Sequence, residues 1–339
     1  MKFSNFCRQN YHLILIIMLI SGIMVLIVAS CLQVIDLTNK LPFKEEVLFI
    51  NPLTGERESP FVKINPLAVI IDNNIAARPQ AGLAQAAMVY EALVEGGITR
   101  LLAIYNYNDE IKKVGPIRSL RPYFLDWAQE YQPTLLHVGG SQEALTALKD
   151  YSIINLDEMS ANGIYFDRGD SAAWPYTVYS SSALWQTFPD LKGRQVKFEP
   201  WAYQPISEKY CPSAGQEVII NYSYNEYQVK WQYDCQGGHY LRFNGNEKHQ
   251  DGNGNQLYTN KVIVQFVKSW LIDKERLAMQ TTGQGKALIF QNGQVVEGNW
   301  QKEAKFGRTR FYDSAGQLIK LTPGKTWIEI VPPLTNITY

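Results

Sequence analysis

The chain has 339 residues, 46% of them hydrophobic, with 32 basic and 32 acidic side chains. That length exceeds one typical domain, so two are expected. The even charge balance excludes a nucleic-acid binder, which needs a surplus of cations to replace the counterions of phosphate.

Residues 13–28, LILIIMLISGIMVLIV, carry no charge, and Lys2 and Arg8 are the cations before them. This is the layout of a signal peptide. The run is shorter than the roughly 20 residues that span a bilayer comfortably, although Ala29 to Leu32 would extend it to a short anchor. The order Val28-Ala29-Ser30-Cys31 resembles a bacterial lipobox: an aliphatic residue, two small residues and the cysteine that becomes the lipid-bearing first residue. The expectation is therefore a signal peptide with lipobox over 1–30, then lipidated Cys31 and a tether over 31–50. Two or three acyl chains, at about 0.8 kcal/mol per buried methylene, anchor a domain stably. An uncleaved N-terminal anchor is the alternative. Both place the remainder on the extracytoplasmic face of the cell membrane. Cleavage removes Lys2 and Arg8 and no acid, leaving 30 of the 32 basic groups against 32 acidic ones, a formal charge of −2.

From 51 to 195, short apolar runs alternate with helical stretches. LAVIID (67–72), RLLAIYNY (100–107) and TLLHVGG (134–140) read as strands, while PYFLDWAQEY (122–131) and SQEALTALKD (141–150) read as helices. Strand followed by helix, repeated, predicts a layered α/β domain. Pro200, Pro205 and Pro212 mark 196–215 as a linker. From 216 to 339 the pattern is strands and Gly/Asn turns, an all-β domain, with QNGQ (291–294) the strongest hairpin signal. The fold class is therefore α+β, an N-terminal layered α/β domain followed by a mostly β C-terminal domain. Cys211 and Cys235 flank a predicted hairpin and are candidates for a disulfide in an oxidising compartment; two unpaired thiols are the alternative. Core packing is the expected role of Trp231, Trp270, Trp300 and Trp327, with a sugar platform as the alternative.

Three polar, Arg-bearing segments follow predicted strands, at the edge where open α/β sheets bind ligands. One is Asp72 to Arg78. Another is VGPIRSLRPYF, where Pro122 suits a first helical turn and leaves Arg118, Ser119 and Arg121 in the loop feeding it. Ser141, after Gly139-Gly140, is the expected N-cap of the third. Helix starts and arginine forks suit carboxylate or phosphate. In VYEALVEGGITRLLAIY, a two-residue Gly96-Gly97 turn would pair Glu95 with Ile98, Leu93 with Arg100 and Glu91 with Leu102, placing Arg100 diagonal to Glu91 and Glu95. A helix over 83–94 would break that geometry. His137 lies in an apolar run and reads as a core histidine. DGNGNQ (251–256) starts like a calcium loop but has Gln256 where glycine belongs and Val262 where the bidentate glutamate belongs, so it reads as a polar turn and no metal or cofactor is expected.

NPLTGE, AVIIDN with ARPQAGL, VYEALVEGGITRLLAIY, VGPIRSLRPYF, HVGGS, YDCQGGHYLRFNG and PGKTWIEI together resemble the YerB-like lipoprotein family of Gram-positive and related bacteria, from about Asn51 to Pro332. The resemblance implies a lipobox and a two-part chain, and it implies no reaction. Pro175-Tyr176-Thr177 stands where it would lead one to expect Pro-His-Asn, which weakens any histidine-based mechanism. The function expected is a lipid-anchored extracytoplasmic binding or scaffolding protein recognising an anionic group on a cell-envelope polymer or envelope protein, through Arg78, Arg100, Arg118 and Arg121. The rival is an envelope hydrolase or transferase with Glu91 or Glu95 as general base and the arginines as clamps.

Overall fold

The computed structural model describes residues 11–40, 48–59, 61–169, 175–189, 196–205, 210–212 and 216–339. Lys2, Cys7, Arg8, residues 41–47 of the expected tether and parts of the expected linker lie outside the described residues. Two compact units result, 1–47 and 48–339.

The first unit contains helix α1 (Tyr11–Lys40). Within it, Tyr11–Gln33 is 23 residues long and apolar enough to cross a membrane. At 1.5 Å per residue that is about 34 Å, close to the hydrocarbon thickness of a bilayer. Two serines do not interrupt it, because the Ser21 and Ser30 hydroxyls donate to the carbonyls of Met18 and Leu26. Cys31 is exposed as a free thiol.

The main strands of the second unit begin with β1 (Pro66–Asp72), β2 (Met88–Leu93), β3 (Thr99–Asn106), β4 (Thr134–His137) and β5 (Ile154–Asp157). A meander follows, β6 (Glu217–Asn221), β7 (Gln228–Asp234) and β8 (His239–Asn244), and then β9 (Lys261–Phe266), β10 (Gly283–Gln291), β11 (Gln294–Lys302), β12 (Arg310–Asp313) and β13 (Thr326–Val331). Ten of these make one sheet in the order β12-β11-β10-β9-β13-β2-β3-β1-β4-β5. β1 is buried along its whole length, as an unbroken apolar run requires when both faces of a sheet are covered.

Helices α2 (Pro122–Ala128) and α3 (Gln142–Ala147) carry out the expected helical stretches, each extended by a 3₁₀ turn. Pro122 opens α2, and the Ser141 hydroxyl caps α3 by accepting from Ala144 N. Phe124, Trp127 and Tyr131 pack with Ile70, Leu102 and Ile104 and with Ile263, Ile289 and Ile328 on one face of the sheet. The meander covers the other face, where Val218, Val229 and Trp231 meet Val69, Leu101 and Trp327. Both faces thus draw on both halves of the chain, and β13 sits between β9 and β2. The sheet runs unbroken across the expected 196–215 boundary, because β13 pairs with β2, Thr326 opposite Met88, and the two complete one another's hydrogen bonding.

Several local expectations are met. β10 and β11 close through Asn292-Gly293, both at positive φ, with Gln291 opposite Gln294. β6 and β7 pair as the expected hairpin, and Cys211 and Cys235 form a disulfide with a Cα–Cα distance of 5.4 Å. Trp231, Trp300 and Trp327 are core residues, whereas Trp270 is half exposed.

The β2–β3 hairpin differs from expectation. Its loop is three residues, Glu95 to Gly97, and the pairs are Leu93 with Thr99, Ala92 with Arg100 and Glu91 with Leu101. Side chains alternate along a strand, so the one-residue change sends Glu91 to the opposite face from Arg100. The alternative helix over 83–94 does not form; Leu83–Gln85 is a 3₁₀ turn and β2 follows.

Candidate functional site: an arginine hollow at the sheet edge

β1, β2, β4, β5, β9 and β13 all run in one direction. Their carboxyl ends share an edge, and there a hollow of about 490 Å³ opens. Asp72 comes from the end of β1, Glu95 from the β2–β3 loop, Arg100 from the start of β3 and Ser141 from the turn after β4. Arg118, Ser119 and Arg121 come from the segment feeding α2. Seven of the nine candidate binding residues therefore converge.

The guanidinium groups differ in what holds them. Arg118 Nε donates to Asp72 Oδ2, and its guanidinium lies 5.5 Å from the centre of the Tyr176 ring, the residue that departs from the Pro-His-Asn pattern. Arg121 grips Glu95 with two parallel bonds of 2.6 and 2.8 Å. Burial opposes ionisation of Glu95, but the bonds and charge of Arg121 outweigh it and hold the carboxyl below its ordinary range. Arg100 is 7% exposed and has no ion pair among the described residues. Its Nη1 donates to Ser119 O at 2.8 Å, while its Nε is buried without a partner. Burial first, and the neighbouring Arg121 charge second, lower its pKa from 12.5 to about 10.

Sequence reasoning missed Arg276 and Glu275, which also line the hollow. They sit on a ribbon, Ser269–Leu271 paired with Leu277–Met279, that follows β9. Arg276 is held by Asp273 and by Glu143 of α3. No local signal marks these residues, because only the pairing of β9 into the shared sheet brings the ribbon here.

Two candidates lie elsewhere. Arg78 donates to Asn73 Oδ1 and Glu226 O and packs 5.2 Å from the Tyr227 ring centre, outside the lining of the hollow. Glu91 is fully buried on the meander side and pairs with Arg242 at 2.6 Å. Arg242 also reaches Glu329 at 3.0 Å and donates to His249 Nδ1. Burial, then the charge of Glu91, raises the Glu329 pKa from 4.5 to about 7. Burial, then Arg242, keeps the His249 pKa well below 6.5. Glu91 thus joins a structural network instead of orienting Arg100. An available signal was Arg242 itself, which occupies an inward position of the alternating HYLRFN strand, where a charge demands a buried partner. His137, expected as a core residue, is fully buried with its Nδ1 2.7 Å from Gly139 O.

An apolar N-terminal helix followed by an α+β body with an arginine hollow defines a membrane-anchored or secreted α+β protein. A family described as "Protein of unknown function (DUF3048) N-terminal domain" matches residues 53–194, and its C-terminal counterpart matches 218–328. The chain belongs to this YerB-like family. It is 31% identical over 290 residues to "Putative lipoprotein YerB" of Bacillus subtilis (strain 168), covering 84% of this chain and 86% of that one. The fold is similar to a crystal structure of the YerB protein from Bacillus subtilis, with a TM-score of 0.74 at 30% identity, covering 86% of this chain and 100% of that one.

Proposed function

We propose that the chain is a lipid-anchored extracytoplasmic binding protein whose hollow receives an anionic group of a cell-envelope polymer or envelope protein. Arg100 carries the reading. A buried guanidinium without a counter-ion is costly, and a ligand anion removes that cost. Arg118 and Arg121, already oriented by Asp72 and Glu95, flank it without reorganising. Anchoring through Cys31 rests on the Val28-Ala29-Ser30-Cys31 motif and on the kinship with a protein named as a lipoprotein.

The hydrolase or transferase reading loses both of the glutamates expected to serve as its base. Glu91 is sealed in the core, and Glu95, held ionised by Arg121, is a weak proton acceptor. The test is titration of the full-length chain in detergent with acetate and with inorganic phosphate at constant ionic strength. Saturable binding is expected in the parent and not in Arg100→Met; equal binding in both would remove the reading. For the anchor, fatty-acid labelling in a bacterial host should be lost in Cys31→Ala, and retained labelling would place the lipid elsewhere.

A further inference from the structure

A second hollow of about 460 Å³ adjoins the first, sharing Val94, Glu95 and Glu275 with it. Its other walls are mostly apolar or carry no side chain, Leu93 and Gly96-Gly97 from the β2–β3 hairpin and Leu271 and Leu277 from the ribbon, with Lys274 as the one further charged group. Leu271 is 60% exposed, an apolar side chain left without cover at the rim. The arginine hollow thus opens directly onto a mostly apolar one.

Charge counting narrows the acid. Arg118, Arg121 and Arg276 each already hold a carboxylate, and Arg100 alone does not. Of the five N–H donors of a guanidinium, Arg100 uses one on Ser119 O. Arg100 itself therefore lacks one directly paired negative charge, which a single carboxylate would supply. A carboxylate supplies that charge in the planar shape an arginine fork matches. A phosphate monoester, at about −1.5 to −2, brings more charge than Arg100 lacks and sets it beside Asp72, Glu95 and Glu275.

We propose that the two hollows together take the α-carboxylate of an apolar residue, with the carboxylate on Arg100 and the side chain against Leu271 and Leu277. This rests on the anion-binding reading above and makes it specific. Two sources supply the chemistry, the C-terminus of a peptide and a free apolar amino acid.

The experiment is calorimetric titration of the full-length chain in detergent with N-acetyl-leucine, N-acetyl-leucinamide, N-acetylglycine, free leucine and octyl phosphate. N-acetyl-leucine is expected to bind about tenfold tighter than N-acetylglycine, a modest value for a side chain entering an open apolar site. It should bind at least tenfold tighter than the amide, which leaves the Arg100 charge unanswered. Leu271→Ser should erase the preference for leucine over glycine. Tighter binding of free leucine than of N-acetyl-leucine assigns the free amino acid, with Glu275 taking its ammonium; the reverse order assigns a peptide end. Equal binding of acid and amide, equal binding of leucine and glycine forms, or tighter binding of octyl phosphate overturns the proposal. Acetate binding that depends on Arg100, without any gain for N-acetyl-leucine, would sink this inference alone; no binding of acetate or phosphate would sink both.

Discussion

Replacing Arg100 with methionine should stabilise the protein while removing its anion site. The native pKa of about 10, against 12.5 for a free guanidinium, means that folding disfavours the charged side chain. At neutral pH that penalty is about 3 kcal/mol. The compensating bond to Ser119 O is worth about 1 to 1.5 kcal/mol once the carbonyl left behind is considered. Methionine has a flexible unbranched side chain and no charge to desolvate. The balance favours the variant by about 1 to 2 kcal/mol, or about 2 to 6 °C in melting temperature for a body of this size. Urea unfolding of parent and variant at pH 7 and low salt, with the m-value checked for constancy, measures it. A variant destabilised by 1 kcal/mol or more would show that Arg100 serves the fold, and the argument for a site that sacrifices stability to function would fail.

Other consequences concern the body. Opening the Cys211–Cys235 disulfide, which closes a loop with a sequence separation of 24, should cost about 3 kcal/mol in the chain-entropy model; unchanged urea midpoints in Cys211→Ser with Cys235→Ser would contradict this. Glu329 binds its proton more tightly folded than unfolded, so its contribution is fully present below pH 4.5 and is lost as pH rises to about 7. Glu329→Gln should therefore flatten the pH dependence between those values and raise stability at pH 8, read as the urea midpoint across pH 4 to 8. Glu91→Gln removes one of the two carboxylates on Arg242 and leaves Glu329 as its counter-ion, so it should cost about 1.5 to 3 kcal/mol, the worth of a charged hydrogen bond; a cost under about 0.5 kcal/mol in the urea midpoint at pH 7 would contradict this.

Much of this protein follows from short-range patterns. The apolar segment before Cys31, the Pro122 and Ser141 helix starts, the Asn292-Gly293 hairpin and the buried run of β1 are each decided by residues within a few positions of one another, and each forms as the local sequence requires. The segments carrying Asp72, Arg118, Arg121 and Ser141 could be placed at a strand edge for the same reason.

Longer-range features could not be read that way. Whether Gly96-Gly97 made a two- or three-residue loop changed which face Glu91 occupied, and its pairing with Arg242, 151 residues away, belongs to the three-residue form. The arrival of Arg276 at the hollow depends on β9 lying next to β13 and β13 next to β2. Composition and periodicity determined the apolar N-terminal segment, the strands, several of the turns and most of the hollow's arginines, because those depend on local backbone preference and apolar spacing. The tertiary structure alone decided which of the hollow's arginines lacks a counter-ion, because ion pairing in a low-dielectric interior depends on distances between segments that the chain order does not specify.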